Sequence, residues 1–246
     1  MSRLQAFLRA TAAGGSDVVV STPFTAYFEP STSLRFRNYA IPDDAAEPDV
    51  AAVERLRSVF RERDRLPRLE WLEEAAPRVA PVLAAAGMAE ELRAPMMACT
   101  PAELLAATPA LDGLTVTPVD DGDLRDCVDL QRAAFGEEPT PPDEAPRDIR
   151  ERGGGAVLAR VDGEPVAAAS WTPVVDATTE IVGVATAEAW RRRGLAGAVT
   201  AAAAAAAFEA GASLCVLSPG DDKAQRVYER AGFRRVATML HWSDPD

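Results

Sequence analysis

The chain has 246 residues, of which 48% are hydrophobic and 26% are charged, and these are ordinary values for a globular protein with a sizeable buried core. The formal net charge of −12 disfavours nucleic acid as a partner, because phosphate binding needs a basic surface, but it suits a cationic substrate such as an amine. No apolar run approaches the roughly 20 residues that cross a bilayer, and the first residues lack a signal-peptide pattern, so we expect a cytoplasmic protein without a membrane partner.

The first half of the chain is predicted to alternate strands and helices. Strands are expected over residues 17–21, 24–28 and 34–40, followed by a helix over about 49–63. A strand over 69–72, a helix over 73–86 and a strand over 92–99 complete this half, and Gly87 is expected to end the helix.

A domain boundary is predicted in the segment between Thr100 and Gly113. The dipeptides Thr100-Pro101 and Thr108-Pro109 bracket a short turn rich in alanine and leucine, and Asp112-Gly113 is typical of a stop. The sequence therefore predicts two domains, over residues 1–112 and 113–246.

The order of elements in the first half is echoed in the second half. Its predicted elements are strands over 114–119, 156–161, 166–171, 179–186, 214–218 and 235–242, and helices over 123–135, 194–210 and 222–230. This alternation indicates an α/β chain with a degenerate internal repeat. Coincidence stays open, because short α/β patterns resemble one another easily.

The cysteines and the histidine limit the chemistry of the chain. Cys99, Cys127 and Cys215 lie far apart without paired spacing, which favours buried thiols in a reducing compartment over disulfides or a zinc site. The single histidine, His241, is interpreted as structural, so Ser-His-Asp hydrolysis and most histidine-rich metal chemistry are disfavoured unless His241 itself takes part. No metal is expected.

The most informative segment joins a strand to a long helix through a basic loop, over residues 184–197. Such a turn presents successive backbone N–H groups and the positive end of a helix dipole to one point, which forms an anion site. Gly194 and Gly197 let the backbone approach a pyrophosphate closely. The Lys-Ser/Thr pair of a P-loop and the spacing of the dinucleotide-binding fingerprint are both absent.

Two motifs in this half resemble the GCN5-related N-acetyltransferase (GNAT) superfamily. Arg191-x-x-Gly194-x-Ala196 is similar to the acyl-CoA pyrophosphate signature, Gln/Arg-x-x-Gly-x-Gly/Ala. Asp221-x-x-Ala224-x-x-x-Tyr228-x-x-x-Gly232-Phe233 resembles the second family block, in which asparagine usually stands at the position of Asp221. The resemblance covers roughly residues 114–246. It implies a GNAT fold there, with a mixed, largely antiparallel sheet flanked by helices, and a degenerate GNAT-like lobe in the first half.

The resemblance also implies acetyl-CoA as co-substrate, without a metal, and direct transfer of the acetyl group to a primary amine of a small molecule or protein. Backbone groups at the end of the strand would pair with the pantetheine arm, and one N–H there could meet the oxyanion. The substitution of aspartate for asparagine puts the side-chain contact of Asp221 in question. The implied cofactor-binding residues are Val184, Ala185, Thr186, Arg191, Arg192, Arg193, Gly194, Leu195, Ala196, Gly197, Asp221 and Ala224.

Two residues are candidates for proton transfer. Glu180 precedes Arg191 by a spacing similar to that of the glutamate base in histone acetyltransferases of the superfamily, but it could also be a substrate anchor or a polar residue on a half-buried strand. Tyr228 matches the family tyrosine that protonates the CoA sulfur, and the alternative is an aromatic residue packed in the core.

The acceptor site is expected to involve acidic residues. Glu137, Glu138, Asp143 and Glu144 follow the first helix of the second half and would suit a cationic amine, unless they are only solvated surface. The loop at 42–47 in the first half is acidic and lacks glycine, so we expect this half to shape the acceptor site without binding CoA. A non-catalytic acyl-CoA-binding module and a scaffold without ligand stay open as alternatives, as does a homodimer.

Overall fold

The computed structural model describes residues 2–106 and 109–245. Its helices are α1 (Ser2–Ala13), α2 (Val50–Arg61), α3 (Val79–Ala85), α4 (Leu124–Ala134), α5 (Leu195–Glu209) and α6 (Asp222–Arg230). Its strands are β1 (Asp17–Ser21), β2 (Phe24–Phe28), β3 (Asn38–Pro42), β4 (Arg68–Leu72), β5 (Ala89–Cys99), β6 (Leu114–Pro118), β7 (Gly155–Val161), β8 (Glu164–Trp171), β9 (Thr178–Thr186), β10 (Leu214–Leu217) and β11 (Arg234–Ser243).

The chain divides into two compact units. The first consists of residues up to 96 together with residues from 236 onward, and the second of residues 97–235. Each division falls inside a strand, β5 or β11, rather than in a loop. The sequence analysis placed a domain boundary between residues 112 and 113. That boundary stays a prediction.

The sheet of the first unit has the strand order β1-β2-β3-β4-β11. β1, β2 and β3 pair antiparallel, whereas β3 and β4 pair parallel. β11 pairs antiparallel with β4, from Met239 opposite Leu72 to Ser243 opposite Arg68. The last strand of the chain therefore completes the sheet of the first unit.

Apolar side chains of α2, α3 and the sheet form the core of the first unit. On α2, Val53, Leu56 and Phe60 recur at helical spacing and are fully or almost fully buried, as are Trp71 of β4 and Leu240 of β11. Each such side chain contributes about 1.5–3 kcal/mol through burial. The contribution of Leu240 ties the C-terminal strand into this core.

The sheet of the second unit runs from the end of β5 through β10, β9, β8 and β7 to β6. β10 pairs antiparallel with Met97–Cys99 and parallel with β9, and the remaining pairs are antiparallel. The register of β9 against β10 covers only Thr178–Glu180 and Leu214–Val216. The pairing stops at Glu180, so β9 continues from Ile181 to Thr186 without a partner in β10, and this edge of β9 is open toward its end.

Helices cover both faces of this sheet. α5 packs on one face through Val199 and a series of alanines, whose small side chains allow a close approach to β7, β8 and β9. α4 packs on the other face through Cys127, against Leu158 and Ala168 of the sheet. None of the helices in the described part of the chain combines the length and hydrophobicity that a membrane crossing requires.

Most predicted elements are confirmed to within a few residues, but two in the first half are wrong. Residues 34–40 are not one strand, because Arg35–Arg37 form a 3-10 turn and β3 begins at Asn38, whose side-chain amide donates to the Leu34 carbonyl. The helix expected over 73–86 begins only at Val79. Pro77 explains the delay, since proline disfavours helical geometry at the preceding residue.

The thiols and the histidine are placed as predicted. Cys99, Cys127 and Cys215 are free and buried, and burial raises the pKa of Cys127 and of Cys215 to about 12. The His241 ring lies in the first unit, where its Nδ1 is 3.0 Å from the Arg68 guanidinium and 3.4 Å from Glu70 Oε1. This environment agrees with a structural role.

Gly232, which ends α6, is expected to be far less tolerant of substitution than Gly211, which ends α5. Both have positive φ, 99° and 101°, so alanine costs about 1–2 kcal/mol at either position. A Cβ at Gly232 would overlap the Glu103 carbonyl oxygen, whereas a Cβ at Gly211 has no atom within 4 Å.

We expect Gly232→Ala to lower the free energy of unfolding by at least about 2 kcal/mol more than Gly211→Ala, because backbone must move. Urea denaturation of the two variants measures this difference. Equal destabilisation would show that residues 103–105 do not pack closely against the end of α6.

Candidate functional site

A cleft of about 850 Å³ lies in the second unit, at the end of β9 where this strand has separated from β10. All of the predicted cofactor-binding residues except Arg193 line it. The Arg193 guanidinium instead stacks on the Trp190 ring, 4.8 Å from the ring centroid. The other lining residues are Ala106, Pro109, Ala134, Phe135, Lys223, Val227 and Arg230.

The floor of the cleft is the N-terminus of α5. The residue before the helix, Gly194, is left-handed with φ 83° and has no side chain that could cap the helix. The first intrahelical bond runs from Ala198 N to Gly194 O, so the N–H groups of Leu195, Ala196 and Gly197 have no acceptor within the helix. These donors and the helix dipole make the floor attractive to an anion.

The preceding loop adds positive charge and room for a ligand. Arg191 and Arg192 line the cleft, and Arg192 has the unusual φ of 64°. The hydroxyl of Thr186 is buried and has no hydrogen-bond partner among the described residues. A side chain at Gly194 would fill the space beside Pro109, whose Cβ would lie 3.3 Å from the added Cβ. A pyrophosphate with an attached polar arm fits these features.

One wall of the cleft is a single face of α6. Lys223, Val227 and Arg230 recur at intervals of four and three residues and line the cleft together with Ala224. Lys223 and Arg230 were missed in the sequence analysis, although their helical spacing could have revealed them. Together with Arg191 and Arg192 they give the cleft four cationic side chains, whereas Asp221 is the single carboxylate among the described lining residues. The cleft is therefore cationic, although the protein as a whole is acidic.

Asp221 acts as the N-cap of α6. Its Oδ1 accepts a hydrogen bond of 2.7 Å from Ala224 N. This bond occupies one carboxylate oxygen, and aspartate lacks the N–H donors of the asparagine that is usual at this position. The structure thus explains why a carboxylate is tolerated here: the capping function needs only an acceptor.

Tyr228 lies on α6 next to the lining residue Val227. Its ring packs against the core of the second unit and lies 6.4 Å from that of Phe233. Burial raises the pKa of Tyr228, and the carboxylate of Asp221 raises it further. The phenol therefore keeps its proton at neutral pH. Tyr228 is not among the residues that line the cleft, and its role as proton donor stays a prediction.

Glu180 lies on the part of β9 that is still paired with β10, opposite Val216. Its backbone N–H donates to Thr172 Oγ1 at 3.0 Å, and its carbonyl accepts from Thr172 N at 2.9 Å. The side chain is half-buried and does not line the cleft. Its assignment as base or anchor stays a prediction.

A β-bulge separates Glu180 from the cleft. Ala168 pairs with Ala185 and Ser170 pairs with Val182, so Ala169 alone faces both Gly183 and Val184. Gly183 has φ 61°, and its carbonyl accepts a hydrogen bond of 2.9 Å from Gln131 Nε2 on α4. Neither Gln131 nor Gly183 was identified from the sequence, which carries no local signal for this contact.

The acidic segment after α4 is held by cations of that helix. Arg125 donates to the carbonyls of Thr140 and Glu144, and Arg132 donates to that of Glu138. These bonds use backbone oxygens and leave the carboxylates of the segment exposed. Their use as an acceptor surface stays a prediction. The exposed residues are Glu137, Glu138, Asp143 and Glu144.

A groove of about 480 Å³ in the first unit, lined by residues of α3 and of the segments just before α2 and α3, differs in charge. Asp49 caps α2 with its own carboxylate, which accepts from Ala52 N at 2.7 Å. The nearby Glu47 pairs with Arg78 at 3.2 Å. The charged residues that line this groove in the described part of the chain are thus one carboxylate and one guanidinium, which pair with each other. That this unit binds no CoA stays a prediction.

Comparison with known proteins places these features in context. Residues 124–233 match the family model described as Acetyltransferase (GNAT) family. The solved structure of a GCN5-related N-acetyltransferase from Kribbella flavida is 34% identical, with 99% of this chain and 95% of that chain covered and a TM-score of 0.84. No curated protein matches the chain.

Two more distant structures share the fold alone. A GCN5-related N-acetyltransferase from Sphaerobacter thermophilus is 17% identical, covers 90% of this chain and 76% of its own, and has a TM-score of 0.69. A tandem GNAT protein from the clavulanic acid biosynthesis pathway is 13% identical, with coverages of 91% and 79% and a TM-score of 0.61. The similarities confirm the predicted fold class, a mixed and largely antiparallel sheet flanked by helices.

Proposed function

Because the chain belongs to the GCN5-related N-acetyltransferase family, we propose that it transfers the acetyl group of acetyl-CoA to a primary amine of a small molecule or protein. The observation that carries this proposal is the cationic cleft built on the uncapped N-terminus of α5. The free N–H groups of Leu195, Ala196 and Gly197 would hold the pyrophosphate, and Arg191 and Arg192 would neutralise its charge.

The pantetheine arm would lie along the end of β9. Backbone groups of Val184, Ala185 and Thr186 line the cleft where β10 no longer pairs with this strand, and a strand-like ligand could take that place. The buried hydroxyl of Thr186 would gain a partner from the arm. This arrangement directs the thioester toward Gly183 and Glu180, farther back along β9.

Bound acetyl-CoA supplies an activated acyl group, and the amine nitrogen attacks its carbonyl carbon directly while the carbon–sulfur bond breaks. A typical alkyl ammonium must first lose a proton, which we assign to Glu180 acting directly or through water. A backbone N–H at the end of β9 would stabilise the oxyanion. The protonated phenol of Tyr228 would deliver a proton to the leaving sulfur.

A cationic acceptor suits the exposed carboxylates after α4, which the backbone contacts of Arg125 and Arg132 hold near the C-terminus of that helix. Ala134 and Phe135, at the same helix end, line the cleft. We further propose a cytoplasmic location, which the three free thiols support.

A non-catalytic acyl-CoA sensor is the second candidate, because the cleft alone would serve it equally well. Retention of a tyrosine at position 228, the position of the family's proton donor, favours transfer, since a sensor needs no proton donor. Release of free thiol from acetyl-CoA in the presence of a panel of amines distinguishes the two functions. Binding without thiol release for any amine would favour the sensor.

Gly194→Val is expected to weaken acetyl-CoA binding at least about tenfold. The β-branched side chain would be strained at φ 83° and would occupy the space where the backbone approaches the pyrophosphate. Calorimetric titration measures the affinity, and we expect one molecule per chain in the parent protein.

Gly211→Val is the matched control for this variant. Gly211 lies just beyond the other end of α5, has a positive φ of 101° and stands in open space, so its substitution strains the backbone without touching the cleft. We expect this control to bind acetyl-CoA normally. Undiminished binding by Gly194→Val would show that the cofactor site is elsewhere.

A further inference from the structure

Gln131 connects α4 to the strand that carries the proposed reaction. Its Nε2 donates two hydrogen bonds of 2.9 Å, one to the Ser170 hydroxyl on β8 and one to the Gly183 carbonyl on β9. Ser170 is almost fully buried, and a Cβ at Gly183 would overlap the Gln131 amide. Glutamine at 131 and glycine at 183 therefore fit each other as a pair.

The bond to Gly183 determines the direction of the next N–H group. The carbonyl of Gly183 and the N–H of Val184 belong to one planar trans peptide, in which they point in opposite directions. With the carbonyl held toward α4, the Val184 N–H is turned away from α4. Val184 lines the cleft, and the registers of β9 with β8 and β10 pair no residue with it.

The bulge also decides which side chains share a face. Ser170, which contacts α4, is in register with Val182, so Glu180 and Val182 lie on the α4 face of β9. The bulge adds one residue to β9 between Val182 and Ala185. Ala185, which pairs with Ala168, therefore lies on the α4 face as well. Without the bulge, the end of β9 would present the opposite set of side chains to the cleft.

We propose that Gln131 is a positioning residue for acyl transfer: by holding the Gly183 carbonyl, it fixes the bulge that presents the Val184 N–H to the acyl carbonyl. This inference rests on the proposed function and adds to it a residue outside the two family motifs. Gln131 does not touch the reacting atoms, so its effect should appear in turnover rather than in affinity for the pyrophosphate.

Gln131→Met tests the proposal, since methionine keeps the length and shape of the side chain but donates no hydrogen bond. We expect kcat to fall about 10- to 100-fold, the effect of misplacing a reacting group by a fraction of an ångström to an ångström. KM for acetyl-CoA should change less than about threefold, because the floor of the cleft is intact. Gln131→Glu should resemble it, since a carboxylate cannot donate to the Gly183 carbonyl.

Two variants separate positioning from general packing. Ser170→Ala removes the other acceptor but leaves the bond to Gly183, and we expect it to keep kcat within about threefold of the parent. Gln225→Met changes a half-buried glutamine on α6 whose side-chain amide donates an exposed hydrogen bond to Glu229, and it should be neutral. A kcat for Ser170→Ala as low as that of Gln131→Met would overturn the proposal, as would a kcat for Gln131→Met within about twofold of the parent.

The amide resonance of Val184 gives a readout that does not need turnover. In the parent protein, adding acetyl-CoA should shift this resonance, and in Gln131→Met the shift should be lost although calorimetry shows the ligand bound. If the parent protein transfers no acetyl group, the proposed function fails, but the amide shift still reports on the role of Gln131. An equal shift in the parent protein and in Gln131→Met would overturn that role.

Discussion

A polypeptide of residues 114–246 is expected to be insoluble when produced alone, because it lacks the strands that pair with two of its own. β10 would lose its antiparallel partner Met97–Cys99, which belongs to the second unit. β11 would lose β4, its partner over Met239–Ser243. The fully buried Leu240 and the nearly buried Trp242 would become exposed on an unpaired strand. Unpaired edges with apolar side chains promote aggregation.

The informative comparison is a polypeptide of residues 97–235. It keeps the register of Met97–Cys99 with β10 and ends where the first unit resumes. We expect this fragment to be more soluble than residues 114–246 and to bind acetyl-CoA, since every residue that lines the cleft lies within it. Solubility after expression and calorimetry test both fragments. A soluble, fully active fragment of residues 114–246 would contradict the strand pairing described here.

Tyr228→Phe is expected to keep the affinity for acetyl-CoA and to lower turnover about 10²-fold or more, the effect of losing a general acid. Phenylalanine preserves the packing of the ring against Phe233 but removes the hydroxyl. Steady-state kinetics with an active amine, together with calorimetry, separate the two effects. Tyr27→Phe is a matched control, because burial also raises the pKa of Tyr27, in the core of the first unit. Unchanged turnover in Tyr228→Phe would remove Tyr228 from the mechanism.

The raised pKa of Tyr228 gives this prediction a pH dependence. The phenol stays protonated beyond its usual pKa of 10.0, so its contribution to turnover should be constant across the neutral range and decline only above about pH 10. Ionisation is harder in the folded state than in the unfolded state. This difference leaves the free energy of unfolding unchanged below about pH 10 and lowers it as the pH rises further.

Elements whose signal lies in neighbouring residues could be predicted from the sequence. The dipeptide Asp162-Gly163 is typical of a two-residue hairpin turn, and it joins β7 to β8 with the positive φ values, 49° and 87°, of such a turn. The helix expected over 73–86 begins only at Val79, because Pro77 disfavours helical geometry just before it although the apolar periodicity extends further back. The pairing of β11 with β4 in the first unit, and of the end of β5 with β10 in the second, could not be predicted, since each joins residues that are distant in the sequence.

The same distinction applies to the candidate site. The floor of the cleft and the loop before it come from one short segment, Arg191 to Gly197, whose glycines and arginines predicted an anion site without knowledge of the fold. Gln131 and Gly183 are 52 residues apart, and each is unremarkable in its local sequence. Only the packing of α4 on β9 reveals their contact. The bulge, which depends on this contact, is likewise invisible to an analysis of strand periodicity.

The position of β11 in the first unit affects the order in which the chain can fold during synthesis. Thr238 N bonds to Glu74 Oε2 across 164 residues, and the neighbouring register pairs β11 with β4. At about 5–20 residues per second, a ribosome needs roughly 8–33 seconds to make the intervening chain. Residues 97–233 are all made before β11, which begins at Arg234. The first unit therefore cannot complete its sheet until almost all of the second unit has been synthesised, and β4 keeps an open edge up to that point.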